Sequence, residues 1–349
     1  MQSGETLVSN GAAGDQAPRL TRRTPSAVIG CLCVGASALL FAISANMGRA
    51  LFLGHFRLFG SIVPPISPLM IAQSRSSIAA LLMFPAVWLV QGRRSIHLKR
   101  SELRDCMLVG VFGIAASNYY YYLSIKHIGV ATAITLEYLA PVFVLLWMLF
   151  RKLQKPTFFR IGGVVVAVLG TVLAIGIVNH TSGFPWLAVV PGQLRFDFIG
   201  VSAALIAAVA LAFYAVFASH LIQSHDSWII LAWSLVGSAV CWLFVNPPWS
   251  IVAAHYTGPQ WIFMAIFSIV SIMVPFSFYF YGLKHLDATS AIVTSCLQPV
   301  FSILIAALVL GEMMGGVQIV GMALVLASTV LVQIDAQPAG RPSPFEPME

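Results

Sequence analysis

A chain of 349 residues in which 59% are hydrophobic and 9% charged, with a mean hydropathy of +0.89, cannot be an ordinary water-soluble globule. Such a domain carries about 25% charged residues. The formal charge of +7 does not come from a basic tract on one polar face, so no nucleic-acid partner is indicated.

Apolar runs of about 20 residues, the length that crosses a hydrocarbon core roughly 30 Å thick, fall at 27–47, 67–90, 105–125, 128–150, 158–178, 197–221, 227–245, 259–283, 288–310 and 315–334. They predict an all-α, polytopic membrane protein of ten transmembrane helices, spans 1 to 10 in chain order. Residues 1–26 and 335–349 read as polar, Gly/Pro/Ser-rich tails expected to be disordered and cytoplasmic. Span 1 is too long for a cleaved signal and is expected to stay as an anchor. The connections leave no room for a soluble catalytic domain.

Span 2 carries Arg75 and span 4 carries Glu137, the two ionisable residues expected at membrane depth. At 1.5 Å per residue both lie roughly 12–14 Å below one surface. Three readings stay open. They form a buried ion pair, Glu137 accepts a proton, or one of them pairs with a charged substrate. Span 3 ends in Asn118-Tyr119-Tyr120-Tyr121-Tyr122, whose tyrosines belong either to an interfacial aromatic belt or, like Asn118 and Tyr122, to a cavity wall. Pro141 cannot donate to the carbonyl four residues back, so it frees that of Glu137. In span 6, Ala203, Ala204, Ala207 and Ala208 suit close helix contact, and Tyr214 is a cavity candidate. Pro275 in span 8 frees the Ser271 carbonyl, with Tyr279 nearby. In span 9, Pro299 frees that of Ser295 beside Gln298. Tyr138 completes the candidate set, with Pro141, Pro299 and Pro275 as helix breaks.

Charge placement tests the topology, because cytoplasmic loops retain Lys and Arg. With the N-terminus inside, 14 of the 19 basic residues fall in inner segments and four, Arg49, Arg57, Lys126 and Arg195, in outer ones; Arg75 is in a span. Cys31, Cys33, Cys106, Cys241 and Cys296 lie in or at the ends of apolar runs and read as packing residues, not metal ligands or disulfides. No cofactor is expected, and Asn179-His180-Thr181 is a weak glycosylation pattern in an outer loop.

Sliding the chain by 158 residues reveals an internal repeat. Tyr120–Leu173 laid on Phe278–Leu331 gives 15 identities in 54 positions without a gap. Lys126-His127 meets Lys284-His285, Pro141-Val142-Phe143 meets Pro299-Val300-Phe301, and Thr171-Val172-Leu173 meets Thr329-Val330-Leu331. Each copy holds five spans, 27–178 and 197–334. Because five is odd, the copies enter the membrane in opposite directions, an inverted 5+5 repeat of the kind that underlies alternating access in secondary transporters.

The stretches Leu136-Glu137-Tyr138-Leu139-Ala140-Pro141-Val142-Phe143 and Leu297-Gln298-Pro299-Val300-Phe301, the latter running on to Leu310-Gly311-Glu312, resemble the paired EamA-type repeats of the drug/metabolite transporter superfamily. The resemblance spans about residues 30–335. It implies ten helices, cytoplasmic termini and a central cavity between the halves, lined by helices 1, 3, 4, 6, 8 and 9. The Gly311-Glu312 of the second copy is Leu153-Gln154 in the first, so the acidic residue is read as a helix-end cap. The expected function is export of a small metabolite, amino acid or drug across a bacterial inner membrane, coupled to protons or simply facilitated. A channel-like permease and a non-transporting receptor are the alternatives; an enzyme is not expected. The partners are a small-molecule substrate and the bilayer, and the sequence leaves the oligomeric state open.

Overall fold

The structure, a computed structural model, describes residues 25–58, 60–92, 97–152, 157–175, 197–222, 224–286 and 288–336. The expected tails before residue 25 and after 336, Arg195, the 179–181 pattern and Leu153-Gln154 lie outside these. Helix α1 (Pro25–Phe52) leads through a two-residue hairpin, Arg57–Leu58 against Ser61–Ile62, into α2 (Pro68–Gln91). Then come α3 (Arg100–Leu108), a π-helical segment (Val109–Ala115), α4 (Ala116–Glu137), α5 (Ala140–Phe150) and α6 (Phe158–Ile175). The second half holds α7 (Phe198–Ile222), α8 (Ser227–Val245), a short α9 (Pro248–Ala253), α10 (Gly258–Ser268), a π segment (Ile269–Met273) and α11 (Val274–Leu283). It closes with α12 (Ala288–Ser295), α13 (Leu297–Ile305), a π segment (Ala306–Leu310) and α14 (Gly316–Ala336).

Local chemistry sets the helix ends. Ser67 accepts the Met70 N–H at 3.2 Å to begin α2, and Asp226 accepts that of Trp228 at 2.8 Å to begin α8. Helix α3 starts five residues before the expected span because Glu102 reaches back to the Lys99 N–H at 2.9 Å. Neither the hairpin nor α9 was anticipated from the hydropathy.

Among the described residues, seven helices are long and apolar enough to cross a membrane, and an eighth arises if Arg100–Glu137 and Ala140–Phe150, bent by 44°, count as one span. Gly129 interrupts that long element with φ 79° and ψ 170°, a conformation open essentially to glycine. The apolar part of α14, Gly316–Val332, is shorter. Large apolar side chains such as Phe158, Val90 and Leu308 face outwards, while Asn46, Gln73, Ser74, Ser76 and Thr135 are buried. Polar groups drawn inside, among an apolar core and under an apolar surface, are the distribution a lipid solvent selects.

Small residues let the helices close on one another. The alanines at 203, 204, 207 and 208 are at most 2% exposed where α7 packs along α4, as expected of close helix contacts. Helices α6 and α14 run antiparallel and touch backbone to backbone, since a Cβ on Gly170 would sit 2.7 Å from the Gly321 carbonyl and one on Gly321 2.6 Å from that of Gly170. Helices α2 and α8 are joined by polar bonds: Trp242 Nε1 donates to Ser76 Oγ at 2.9 Å, and Asn246 Nδ2 to Gln73 Oε1 at 2.6 Å.

Candidate functional site

Of the three prolines expected to break a helix, Pro141 and Pro299 lie beside interruptions, whereas Pro275 sits within a continuous helical run, Gly258–Leu283. Helix α4 ends at Glu137, residues 138–139 form a turn, and Pro141 sits in the first turn of α5. Cys296 separates α12 from α13, with Pro299 at the third position of α13. Residue 138 plus the repeat offset of 158 is 296, so the two breaks occupy equivalent positions. The π segments agree as well: 111–115 in the first half corresponds to 269–273 in the second.

Two of the three carbonyls expected to be freed by proline are filled by side chains from the other half. The Ser271 carbonyl accepts from Arg75 Nη2 at 2.8 Å, and the Ser295 carbonyl accepts from the Tyr138 hydroxyl at 2.8 Å. Tyr138 is tied back in turn, its own carbonyl accepting from Thr329 Oγ1 at 3.0 Å. Such bonds matter in a membrane because no water replaces a missing donor.

The Arg75–Glu137 ion pair, one of the open readings, does not form. Arg75 is 8% exposed and gives Nη1 to Asn118 Oδ1 at 2.8 Å as well as Nη2 to Ser271, while its guanidinium lies over the Tyr122 ring at 5.5 Å. Both Nη groups therefore face neutral acceptors, and Nε is buried without a partner. Among the described residues the Glu137 carboxylate makes no ion pair or hydrogen bond. It still lies close enough to feel the Arg75 charge.

Glu137, Tyr138, Tyr214 and Tyr279 are each half-buried. Tyr279 approaches the Ser295 hydroxyl, and Tyr214 lies near Tyr279. Tyr122, at 0% exposure, and Tyr121, at 7%, are core residues rather than members of an aromatic belt, with Tyr122 edge-on to Phe267 at 5.7 Å. Gln298 is partly exposed on α13 and has no side-chain hydrogen bond among the described residues, so nothing ties it to the cluster. Pro275 is buried in the first turn of α11 beside the Ser271 bond.

A second polar cluster, absent from the expected site, lies at the end where α1 finishes. Arg49 Nε meets Glu312 Oε1 at 2.5 Å, and its Nη1 donates to the Ile125 and Lys126 carbonyls at 2.9 and 2.7 Å. Glu312 is thus an ion-pair partner, where the sequence suggested a helix-end cap; Gly311, at φ 69°, ends the preceding helix and turns Glu312 towards Arg49. His127 Nδ1 lies 2.8 Å from Asp197 Oδ2, and Asp197 Oδ1 accepts the Gly200 N–H at 3.0 Å. That N–H, with His127 contributing less, holds the Asp197 carboxyl below the ordinary range against an upward push from burial. These residues line a cavity of about 150 Å³ with Thr132 and Gln318. The one sequence signal for this cluster was that Arg49, His127 and the Gly311-Glu312 pair all fall at span ends assigned to one face.

An all-helical bundle with an apolar exterior, paired helix breaks and ionisable groups inside defines a polytopic membrane protein of the transporter class. The EamA-like transporter family profile matches residues 28–176 and 198–334, and the chain belongs to that family. The uncharacterized inner membrane transporter YicL of Salmonella typhimurium is 25% identical over 249 residues, covering 71% of this chain and 78% of YicL. An uncharacterized transporter of Synechocystis is 24% identical over 332 residues, covering 88% of this chain and 94% of its own. A solved crystal structure shares the fold with a TM-score of 0.53 and 17% identity, covering 90% of this chain and 98% of its own.

Proposed function

We propose that this transporter is a ten-span carrier built as an inverted 5+5 repeat, exporting a small polar or amphipathic metabolite across a bacterial inner membrane by alternating access, with Glu137 as the proton-exchanging group. The observation that carries the reading is the pair of helix breaks 158 residues apart, which sets Glu137 and Ser295 at equivalent points of the two halves. Broken helices at repeat-related positions mark the binding site in carriers of this architecture. The corresponding π segments and the antiparallel packing of α6 on α14 support the inversion. Counting Gly129 as the boundary between two spans, and α14 as a span, gives ten. The bias of Lys and Arg towards one set of loops supports cytoplasmic termini, and the name of the Salmonella relative supports an inner membrane.

Chemically, an ionised carboxylate inside the membrane without a fixed cationic partner is expensive. A proton or a cationic part of the substrate that neutralises Glu137 lowers that cost and lets the halves rock. Arg75 stays on its neutral acceptors and sets the local potential.

The test is counterflow in proteoliposomes loaded in turn with amino acids, nucleosides and sugar phosphates. Saturable exchange that a proton gradient accelerates in the parent, but not in Glu137→Gln, is the expected result. A Gln variant that keeps its full gradient response would show that Glu137 does not couple. Poorly saturating flux without counterflow would indicate a channel, and binding without flux a receptor.

A further inference from the structure

We propose that Arg49 is a gating residue, whose bond to Glu312 latches shut the end of the bundle at which α1 finishes. The inference rests on the carrier reading above for its role in transport, but not for its geometry.

Arg49 is anchored within its own half. It sits in the last turn of α1, and its Nη1 is held by the carbonyls of residues 125 and 126. Those carbonyls end the helical turns before Gly129, where helix carbonyls lose their following donors and a cation is favoured. Nε of the same guanidinium reaches the other half and meets Glu312 at 2.5 Å. Glu312 stands just beyond the left-handed Gly311, with its N–H on the Ala306 carbonyl at 3.1 Å. Each partner is therefore fixed by its own half, and the ion pair is the releasable contact between them.

The location suits a gate. The pair borders the 150 Å³ cavity, and its side chains are only 15% and 21% exposed. A partly desolvated pair is stronger than one at a free surface, yet separates at moderate cost once water reaches it. His127–Asp197 is a second bond between the halves, joining the first to the start of α7 at the same end. An end held by two such contacts opens when both part, whereas the bonds of Arg75 and Tyr138 to backbone carbonyls lie deeper, in the core.

The experiment reads opening directly. Thr132, which lines the cavity and is 7% exposed, is replaced by cysteine in a background whose five native cysteines are serine. The purified protein in nanodiscs is then labelled with a charged methanethiosulfonate reagent. Arg49→Gln and Glu312→Gln should each raise the labelling rate about tenfold, and the double variant no further, because both remove one shared contact. Rates unchanged by either variant, or effects that multiply in the double, would overturn the proposal. Should Arg49→Gln fail to fold, Glu312→Gln leaves Arg49 on its carbonyls and, with Arg49→Lys, supplies the same comparison. Labelling requires no substrate, so a latch that responds while counterflow is absent would sink the carrier reading and leave the gate standing.

Discussion

The centre of the molecule and the end where α1 finishes treat their charges in opposite ways. At the end, Arg49 meets Glu312 and His127 meets Asp197, and each contact joins one half to the other. At the centre, Arg75 and Glu137 sit within electrostatic range but unpaired; the cation holds an amide and a freed backbone carbonyl, and the carboxylate holds nothing among the described residues. The Arg49–Glu312 ion pair and the His127–Asp197 bond suit a contact that opens and closes as a unit. A carboxylate left without a partner is available to a proton or a substrate. The difference therefore separates closed contacts from an open carboxylate, although each region holds an arginine and a glutamate.

The comparison breaks most severely at Arg75. Arg75→Met keeps much of the side chain's length but strips the donors from the Ser271 carbonyl and the Asn118 amide oxygen. Each buried acceptor left unsatisfied costs about 1–3 kcal/mol. The expected outcome is a large fall in the temperature at which the detergent-solubilised protein loses its monodisperse peak, together with loss of transport. Arg75→Lys should recover only part of the stability, because a point ammonium does not match a planar fork placed between two acceptors. An unchanged melting profile in Arg75→Met would mean that the Ser271 carbonyl finds another donor and that the centre does not depend on this cation.

Next in size is Gly129→Ala. Its φ of 79° is strained for any L side chain, and the new Cβ would stand 3.0 Å from Glu312 Oε2. Backbone strain of this kind costs on the order of 1–3 kcal/mol. Because the methyl also crowds the carboxylate that Arg49 holds, the variant should raise labelling of the Thr132→Cys reporter as well as lower thermal stability. Destabilisation without any change in labelling would separate the break at 129 from the latch.

A smaller effect is expected from Tyr138→Phe, which removes one hydroxyl donor from the Ser295 carbonyl and leaves the ring in place. The cost should be about 1 kcal/mol, read as a modest shift in thermal stability. If Tyr138 only caps the carbonyl, the pH dependence of counterflow should match the parent. A shifted pH profile would instead place the phenol in the proton path beside Glu137.

These contrasts also show what a linear sequence discloses. Proline removes a donor at a fixed distance in sequence, so the freed carbonyls of Ser271 and Ser295 follow from the chain alone, as does the equivalence of the two breaks. Which side chain fills each carbonyl does not follow, because Arg75 and Ser271 are 196 residues apart and Tyr138 and Ser295 are 157. Burying a charge in lipid marks Arg75 and Glu137 as special whatever they touch. Yet two opposite charges at one depth do not reveal that neutral acceptors stand nearer to the cation. Arg49 and Glu312, 263 residues apart, carried no such mark, since a charge at the end of a span needs no explanation until its partner is seen. The hairpin at 57–62 and α9 were missed for a related reason: hydropathy reports what the bilayer covers, and short elements at its edge are settled by turns.

The mildest test concerns the second bond at the end where α1 finishes. Asp197 has its carboxyl held below the usual range by the Gly200 N–H and by His127, so its folded pKa is lower than its unfolded one. The sign follows from linkage: the stabilisation is fully present above the unfolded value of about 3.9 and is lost as the pH falls through the folded one. Asp197→Asn keeps an oxygen that can accept from Gly200 but removes the charge. Parent and variant should therefore differ slightly in thermal stability near neutral pH and converge under acid, once the pH has fallen below the folded pKa. Asp197 is partly exposed, so added salt should narrow the gap at neutral pH. A gap that persists undiminished into acid would mean that the side chain acts as a neutral helix cap, leaving Arg49–Glu312 as the charge pair that closes this end.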